Sequence, residues 1–202
     1  NKLANSVDSS FYSYLTTSQS EPLYNHATQQ KTAPGSTYKI VSATAGLAEN
    51  VITTSTQILD LGKFEKVSNK PECWIYPRGT HGSINVAEAL RHSCNYFFYE
   101  VGRRMGINKL DEYAKKFGLG EKTGIELDEE VAGHMASPEY KKEVVASATD
   151  REWFGGDTLQ AAIGQSYSLF TPIQLANYAA TIANGGTRYK VNLIKSVRSS
   201  VD

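Results

Sequence analysis

Pro34-Gly35-Ser36-Thr37-Tyr38-Lys39, running on into Ile40-Val41-Ser42-Ala43-Thr44-Ala45-Gly46-Leu47-Ala48, is the stretch whose reading decides the fold. Pro-Gly marks a turn, and the small apolar run behind it is long enough for a buried helix. Ser36 then opens a helix with Lys39 one turn inward, their Cβ atoms about 5–6 Å apart on one face. A lysine pressed among apolar neighbours loses solvation of its charged form, so its pKa falls and it can act as a base near neutral pH. A serine beside that base, at the positive end of a helix, has the makings of an activated nucleophile. Ser-x-x-Lys is a short pattern, and an N-cap serine with a surface lysine one turn on would write the same letters.

The chain has 202 residues, enough for one domain or a large piece of one. Lys+Arg and Asp+Glu both number 21, so no nucleic-acid or anionic-membrane partner is implied. Twelve tyrosines suit a polar-aromatic cleft. No apolar run approaches the roughly 18 residues of a membrane span, and Asn1 opens no signal peptide. The abrupt start without Met and a periodic segment running close to Asp202 suggest a piece of a longer protein, whose anchor would lie elsewhere. Cys73 and Cys94 can form a disulfide, stay as thiols or bind a metal.

Residues 1–31 read as a loop-rich lead-in, with one aromatic helical turn at Phe11-Tyr12-Ser13-Tyr14-Leu15 packing on the body. Residues 32–202 read as a helical core. His26 reads as a structural histidine, since Lys39 already supplies a base. Residues 51–82 form a loop too long for a plain connection. Helices follow over 83–91 and 96–105, interrupted at His92-Ser93-Cys94-Asn95. Polar Ser93 and Asn95 between two apolar helices need partners if buried, which makes them site candidates. A short helix spans 108–117, residues 131–157 read as irregular, and Thr171-Pro172 starts a helix that stops at Gly185-Gly186. Residues 188–197 alternate as a strand does.

Taken together, three separated blocks resemble the transpeptidase domain of class B penicillin-binding proteins, in its elongation- or sporulation-type branch. They are Ala33-Pro34-Gly35-Ser36-Thr37-Tyr38-Lys39, then Ser93-Cys94-Asn95, then Ile163-Gly164-Gln165-Ser166 with Thr171-Pro172-Ile173-Gln174-Leu175-Ala176 and Ile182-Ala183-Asn184-Gly185-Gly186. The likeness spans residues 23–197, and three blocks in order make it specific. It implies an α/β (α+β) penicillin-binding/β-lactamase-like fold, here mainly the helical half with part of the sheet missing. It also implies that Ser36 attacks a stem-peptide D-Ala carbonyl or a β-lactam ring and that Lys39 takes its proton. Ser93 then relays a proton to the leaving amine, and Asn95 bonds Lys39 and the substrate amide. The Ser36 N–H would be half of an oxyanion hole, one such donor contributing about 3–4 kcal/mol. Expected partners are peptidoglycan stem peptides, β-lactams and a membrane glycosyltransferase, on the extracytoplasmic face of the bacterial membrane.

The family's third motif is Lys-Thr/Ser-Gly on a sheet edge, and Lys122-Thr123-Gly124 invites that assignment. It follows the helix stop Phe117-Gly118-Leu119-Gly120 and runs into acidic residues, unlike a cleft strand. We therefore read it as a structural loop, with the true third motif expected beyond Asp202; the 202 residues alone would then be a partial transpeptidase domain, short of a full active site.

Asp60, Cys73, His81 and Cys94 would make a closed tetrahedral zinc shell, structural in kind, pinning the long loop beside Ser93. Some elongation-type relatives carry zinc at about this place. His92 and Glu72 are spare ligands, a Cys73–Cys94 disulfide or free thiols are the alternatives, and His134 reads as solvated. Two other functions fit parts of the pattern. A class D-like β-lactamase or β-lactam sensor shares Ser-x-x-Lys, though Asn95 argues against it. A non-catalytic, zinc-stabilised cell-wall scaffold fits the missing third motif.

Overall fold

The computed structural model describes Ser6 and residues 8–198. Helix α1 (Ser9–Thr17) forms where the aromatic turn is expected, capped by Asp8, with Phe11 and Leu15 half-buried and no residue fully buried. A 3₁₀ turn, Gly35–Tyr38, leads directly into α2 (Lys39–Ala48). Strands β1 (Ile58–Asp60) and β2 (Gly82–Ile84) pair antiparallel, Ile58 opposite Ile84, and are the only sheet among the described residues. The expected helix at 83–91 is shorter. Ser83 and Ile84 belong to β2, and Asn85 with Glu88 builds a capping box that starts α3 (Val86–Arg91).

Helix α4 (Asn95–Met105) is the centre of the molecule, packed against α2, α5 (Ile107–Lys116) and α7 (Gly155–Ala162). Its Phe97, Phe98 and Val101 are fully buried with Phe64 and Leu159. The approach to α7 requires glycine at one point, because a Cβ on Gly102 would lie 2.6 Å from that of Ala162. Ser42 Oγ on α2 donates to the Ala162 carbonyl at 2.6 Å, tying α2 to the same helix.

Residues 131–157, expected to be irregular, contain α6 (Pro138–Val144), a 3₁₀ turn and the start of α7. Ser137 caps α6, and buried Lys141 donates to Asp157 Oδ2 and the Glu152 carbonyl, which holds α6 to α7. Helix α8 (Pro172–Ala183) starts and stops as the sequence indicates; Gly185 and Gly186 take φ of +88° and +108°. Residues 188–197, read as a strand, adopt no regular structure and are almost wholly exposed. A strand's backbone groups need a neighbour to bond, and here the segment meets side chains instead: Leu193 N–H donates to Glu126 and the Tyr189 carbonyl accepts from Asn177. Among the described residues no helix is long and apolar enough to cross a membrane.

Candidate active site

The 3₁₀ turn presents Ser36 because a second turn braces it from behind. Gly35 N–H donates to the Gly164 carbonyl at 2.8 Å, and Gly164 sits at φ +74° with its Cα against the turn; a Cβ there would fall 2.0 Å from the Gly35 oxygen. Thr37 Oγ1 closes back on the Pro34 carbonyl, and Tyr178 OH on α8 donates to the Thr37 carbonyl. Lys39 then begins α2 proper, one turn inward and 1% exposed.

Facing it, the chain turns sharply between α3 and α4. Cys94 N–H bonds the Ala89 carbonyl and Ser93 N–H the Leu90 carbonyl, which leaves Ser93 at φ +52°, a strained conformation for a residue with a Cβ. That turn brings three acceptors to Lys39 Nζ: the Ser93 carbonyl at 2.7 Å, Ser93 Oγ at 2.9 Å and Asn95 Oδ1 at 2.6 Å. Ser93 Oγ in turn donates to Ser36 Oγ at 3.0 Å. Ser36, Ser93 and Lys39 are thus one hydrogen-bonded chain, with Ser93 Oγ standing between the other two. Burial lowers the Lys39 pKa to about 8, against a weaker upward pull from Cys73 and Cys94. A cavity of about 490 Å³ opens beside the chain, lined by Ser36, Ser93, Asn95, Trp74, Tyr99 and Gln165 among others.

Asp60, Cys73, His81 and Cys94 also converge, their donor atoms all within 4.8 Å of one another. Cys73 Sγ lies 3.9 Å from Cys94 Sγ and 3.6 Å from His81 Nδ1. Asp60 Oδ2 accepts from the His81 backbone at 3.1 Å and sits 2.7 Å from Nδ1. Burial pushes the Asp60 carboxyl up, but the N–H groups of Gly62 and His81, the His81 ring and Cys73 hold it below its ordinary value. The spare ligands are not among the four: Glu72 pairs with Lys63, and the His92 ring lies against that of His81 with centroids 5.7 Å apart. His26 bonds Gln30, away from the chain of three. His134 is not a freely solvated side chain: it stacks on Tyr140 at 4.4 Å and bonds Lys31.

Lys122-Thr123-Gly124 takes no part in the cleft. Buried Glu130 receives Thr123 N–H, Thr123 Oγ1 and Gly124 N–H, and Lys122 lines a different cavity with Arg188 and Asn177. Tyr99, Gln160 and Trp74 line the cleft without having been singled out beforehand, because nothing in their spacing distinguishes them from packing residues, and Gln165 of the third block joins them.

A serine, a desolvated lysine and a Ser-x-Asn turn are joined here in one hydrogen-bonded network. The chain belongs to the penicillin-binding protein transpeptidase domain family, whose model matches residues 4–202. It is 33% identical to peptidoglycan D,D-transpeptidase MrdA of Haemophilus influenzae, over 100% of this chain and 30% of that protein. Among solved structures it superposes on Pseudomonas aeruginosa PBP2 in complex with WCK 5153 at TM-score 0.82, 32% identical over 94% of this chain and 42% of that one. The same score relates it to Helicobacter pylori PBP2 in complex with MreC, 29% identical over 95% of this chain and 35% of that one. The chain thus spans about 30% of the curated relative and under half of either structural one.

Proposed function

We propose that these residues carry the first half of the catalytic centre of a peptidoglycan D,D-transpeptidase. The observation that carries this reading is the unbroken chain from Ser36 Oγ through Ser93 Oγ to Lys39 Nζ, at 3.0 and 2.9 Å. With Lys39 as neutral amine, Ser36 Oγ attacks the carbonyl of the penultimate D-Ala while its proton passes to Ser93, whose own proton passes to Lys39. Collapse of the tetrahedral intermediate breaks the C–N bond, and the proton passes from Lys39 through Ser93 Oγ to the leaving D-Ala nitrogen, Ser36 Oγ now being bonded to the acyl carbon. The amine of a second stem peptide then attacks the ester, forms the cross-link and restores the Ser36 hydroxyl. A β-lactam enters the first step, and its ring nitrogen stays tethered to the acyl group. Intact mass after incubation with a β-lactam tests the assignment: a persistent adduct on the native protein and none on Ser36→Ala. An adduct on Ser36→Ala would mean another nucleophile, and rapid hydrolysis would mean a β-lactamase.

The four-donor cluster fits zinc. Two sulfurs on a tetrahedral zinc lie about 3.8 Å apart and a sulfur and a nitrogen about 3.6 Å apart, which the observed 3.9 and 3.6 Å match, while Asp60 Oδ2, 2.7 Å from His81 Nδ1, would part from it to about 3.3 Å on binding. The sulfurs are far outside the roughly 2.05 Å of a disulfide. Four protein donors leave no open position, so bound zinc supplies structural cross-linking and no chemistry. With Nδ1 on the metal, the buried His81 Nε2, without a partner among the described residues, is left to donate to an acceptor or a water. Metal analysis with melting before and after chelation checks this: about one zinc per chain and a lower Tm are expected, and an unchanged Tm on both chelation and Cys73→Ser refutes it.

The substrate places the protein on the extracytoplasmic side of the bacterial membrane, alongside a glycosyltransferase that supplies the strands to be cross-linked. A similar chain in a solved peptidoglycan synthase complex that coordinates polymerization and crosslinking supports such a partnership.

A further inference from the structure

Trp74 is the large side chain that the chemistry above leaves unused. It lines the same cavity as Ser36, Ser93 and Asn95, yet 52% of it is exposed. Leaving an indole in water forgoes the burial that drives aromatic residues inward, so an orientation that keeps it exposed needs a cause. The side chain is not loose. Its Nε1–H donates to the His92 carbonyl at 3.2 Å, and its ring lies 5.6 Å from that of buried His81. Its backbone follows Cys73, which is 1% exposed and tied by its own N–H to the Gly62 carbonyl at 2.7 Å. With its one donor already satisfied, the indole offers the cleft only an apolar π face. The other lining groups, Ser36, Ser93, Asn95, Tyr99, Gln160 and Gln165, are polar or amphipathic, and the aliphatic Ile163 is 6% exposed.

We propose that Trp74 is a specificity-determining wall of the acyl-donor site, holding an apolar or aryl group carried on the acyl side of the bond that Ser36 attacks. This rests on the acyl-transfer reading. The group comes either from a peptide side chain or from the acylamino substituent of a β-lactam; the shared chemistry is an apolar surface set against a fixed aromatic face. The contact is made before and during acylation, so it sets which donors are acylated and leaves the proton path untouched.

The test compares acylation of the intact protein by benzylpenicillin and by 6-aminopenicillanic acid, which share the reacting ring but differ by the aryl side chain. Trp74→Ala should lower the ratio of their second-order acylation constants about tenfold, and Trp74→Phe should recover most of it. The chain has two tryptophans, so in a Trp153→Phe background the emission of Trp74 reports contact without altering that residue. Its emission should change with benzylpenicillin and stay unmoved with 6-aminopenicillanic acid. A peptide arm separates the sources: donors ending in D-Ala-D-Ala, with leucine or glycine immediately before, should lose their difference in KM in Trp74→Ala if the peptide uses the wall. An equal loss for both penicillins, or an emission insensitive to the aryl group, overturns the proposal while leaving Ser36 as nucleophile. Absence of acylation of the native protein by either penicillin overturns the acyl-transfer reading itself, and the wall with it.

Discussion

Replacing Asn95 with alanine removes one of the three acceptors that hold Lys39 Nζ, the carboxamide oxygen at 2.6 Å, and leaves the Ser93 carbonyl and hydroxyl in place. The base starts from a pKa that burial has brought from 10.5 to about 8. A hydrogen bond to a charged group contributes about 1.5–3 kcal/mol. At 1.36 kcal/mol per unit, losing it should drop the Lys39 pKa by about 1–2 units, to roughly 6–7. The direction follows from which form the acceptors favour: all three stabilise the ammonium, so removing one favours the neutral amine. The second-order constant for β-lactam acylation, followed from pH 5 to 9 in the intact protein, reports the free enzyme's base. In the native protein it should climb with pH through a midpoint near 8 and still be rising toward its plateau at 9; in Asn95→Ala the plateau should be lower, because a substrate contact goes too, but the midpoint should fall at more acid pH. A midpoint that stays put or moves up would refute the claim that Asn95 holds the charged form of Lys39, whatever happens to the absolute rate.

Gly164→Ala should cost at least about 3 kcal/mol in urea unfolding, since φ of +74° alone costs a residue with a Cβ about 1–2 kcal/mol and the new carbon meets the Gly35 oxygen at 2.0 Å. Acylation should fall further than the folded fraction does, because Ser36 rides on that contact; parallel losses would count against it. Glu100, 2% exposed, takes both Arg103 contacts at 3.0 Å, Arg104 at 2.8 Å and Lys66 at 3.0 Å. Burial pushes its carboxyl up, but these cations overcome that and hold it at about 2. A carboxyl depressed on folding stabilises above its ordinary value and loses that stabilisation as pH falls. The stability gap between native protein and Glu100→Gln should thus be about 1–3 kcal/mol at neutral pH and close between about 4.5 and 2. A gap independent of pH would contradict it.

Much of the site was legible because its residues are local. Ser36 and Lys39 stand one turn apart, and Ser93 and Asn95 announce themselves as polar residues in a break between apolar helices. Asp60, Cys73, His81 and Cys94 were readable as a donor set, while their convergence depends on β1 pairing with β2, a long-range contact that spacing does not encode. The interposition of Ser93 between nucleophile and base was not legible either, because it depends on a φ of +52° that no letter of Ser-Cys-Asn dictates. Helices α6 and α7 were missed since neither shows a clean apolar face: α6 buries only Lys141, and α7 opens on two glycines. Residues 188–197 failed in the other direction. Their alternation is real, but alternation describes a strand's faces and says nothing of whether a neighbouring strand is there to receive it. Trp74 passed as one loop residue among many, its place beside Ser36 being set by Cys73 and His81 behind it.

Ser93, Cys94 and Asn95 point alternately toward the lysine and toward the donor cluster, and Cys94 also caps α4 through the Phe97 N–H. Reactivity and scaffolding are therefore interleaved on one tripeptide. Inserting or deleting a single residue there would pull Ser93 and Asn95 off the lysine and Cys94 off the donor cluster in one stroke, so the length of this stretch matters to both.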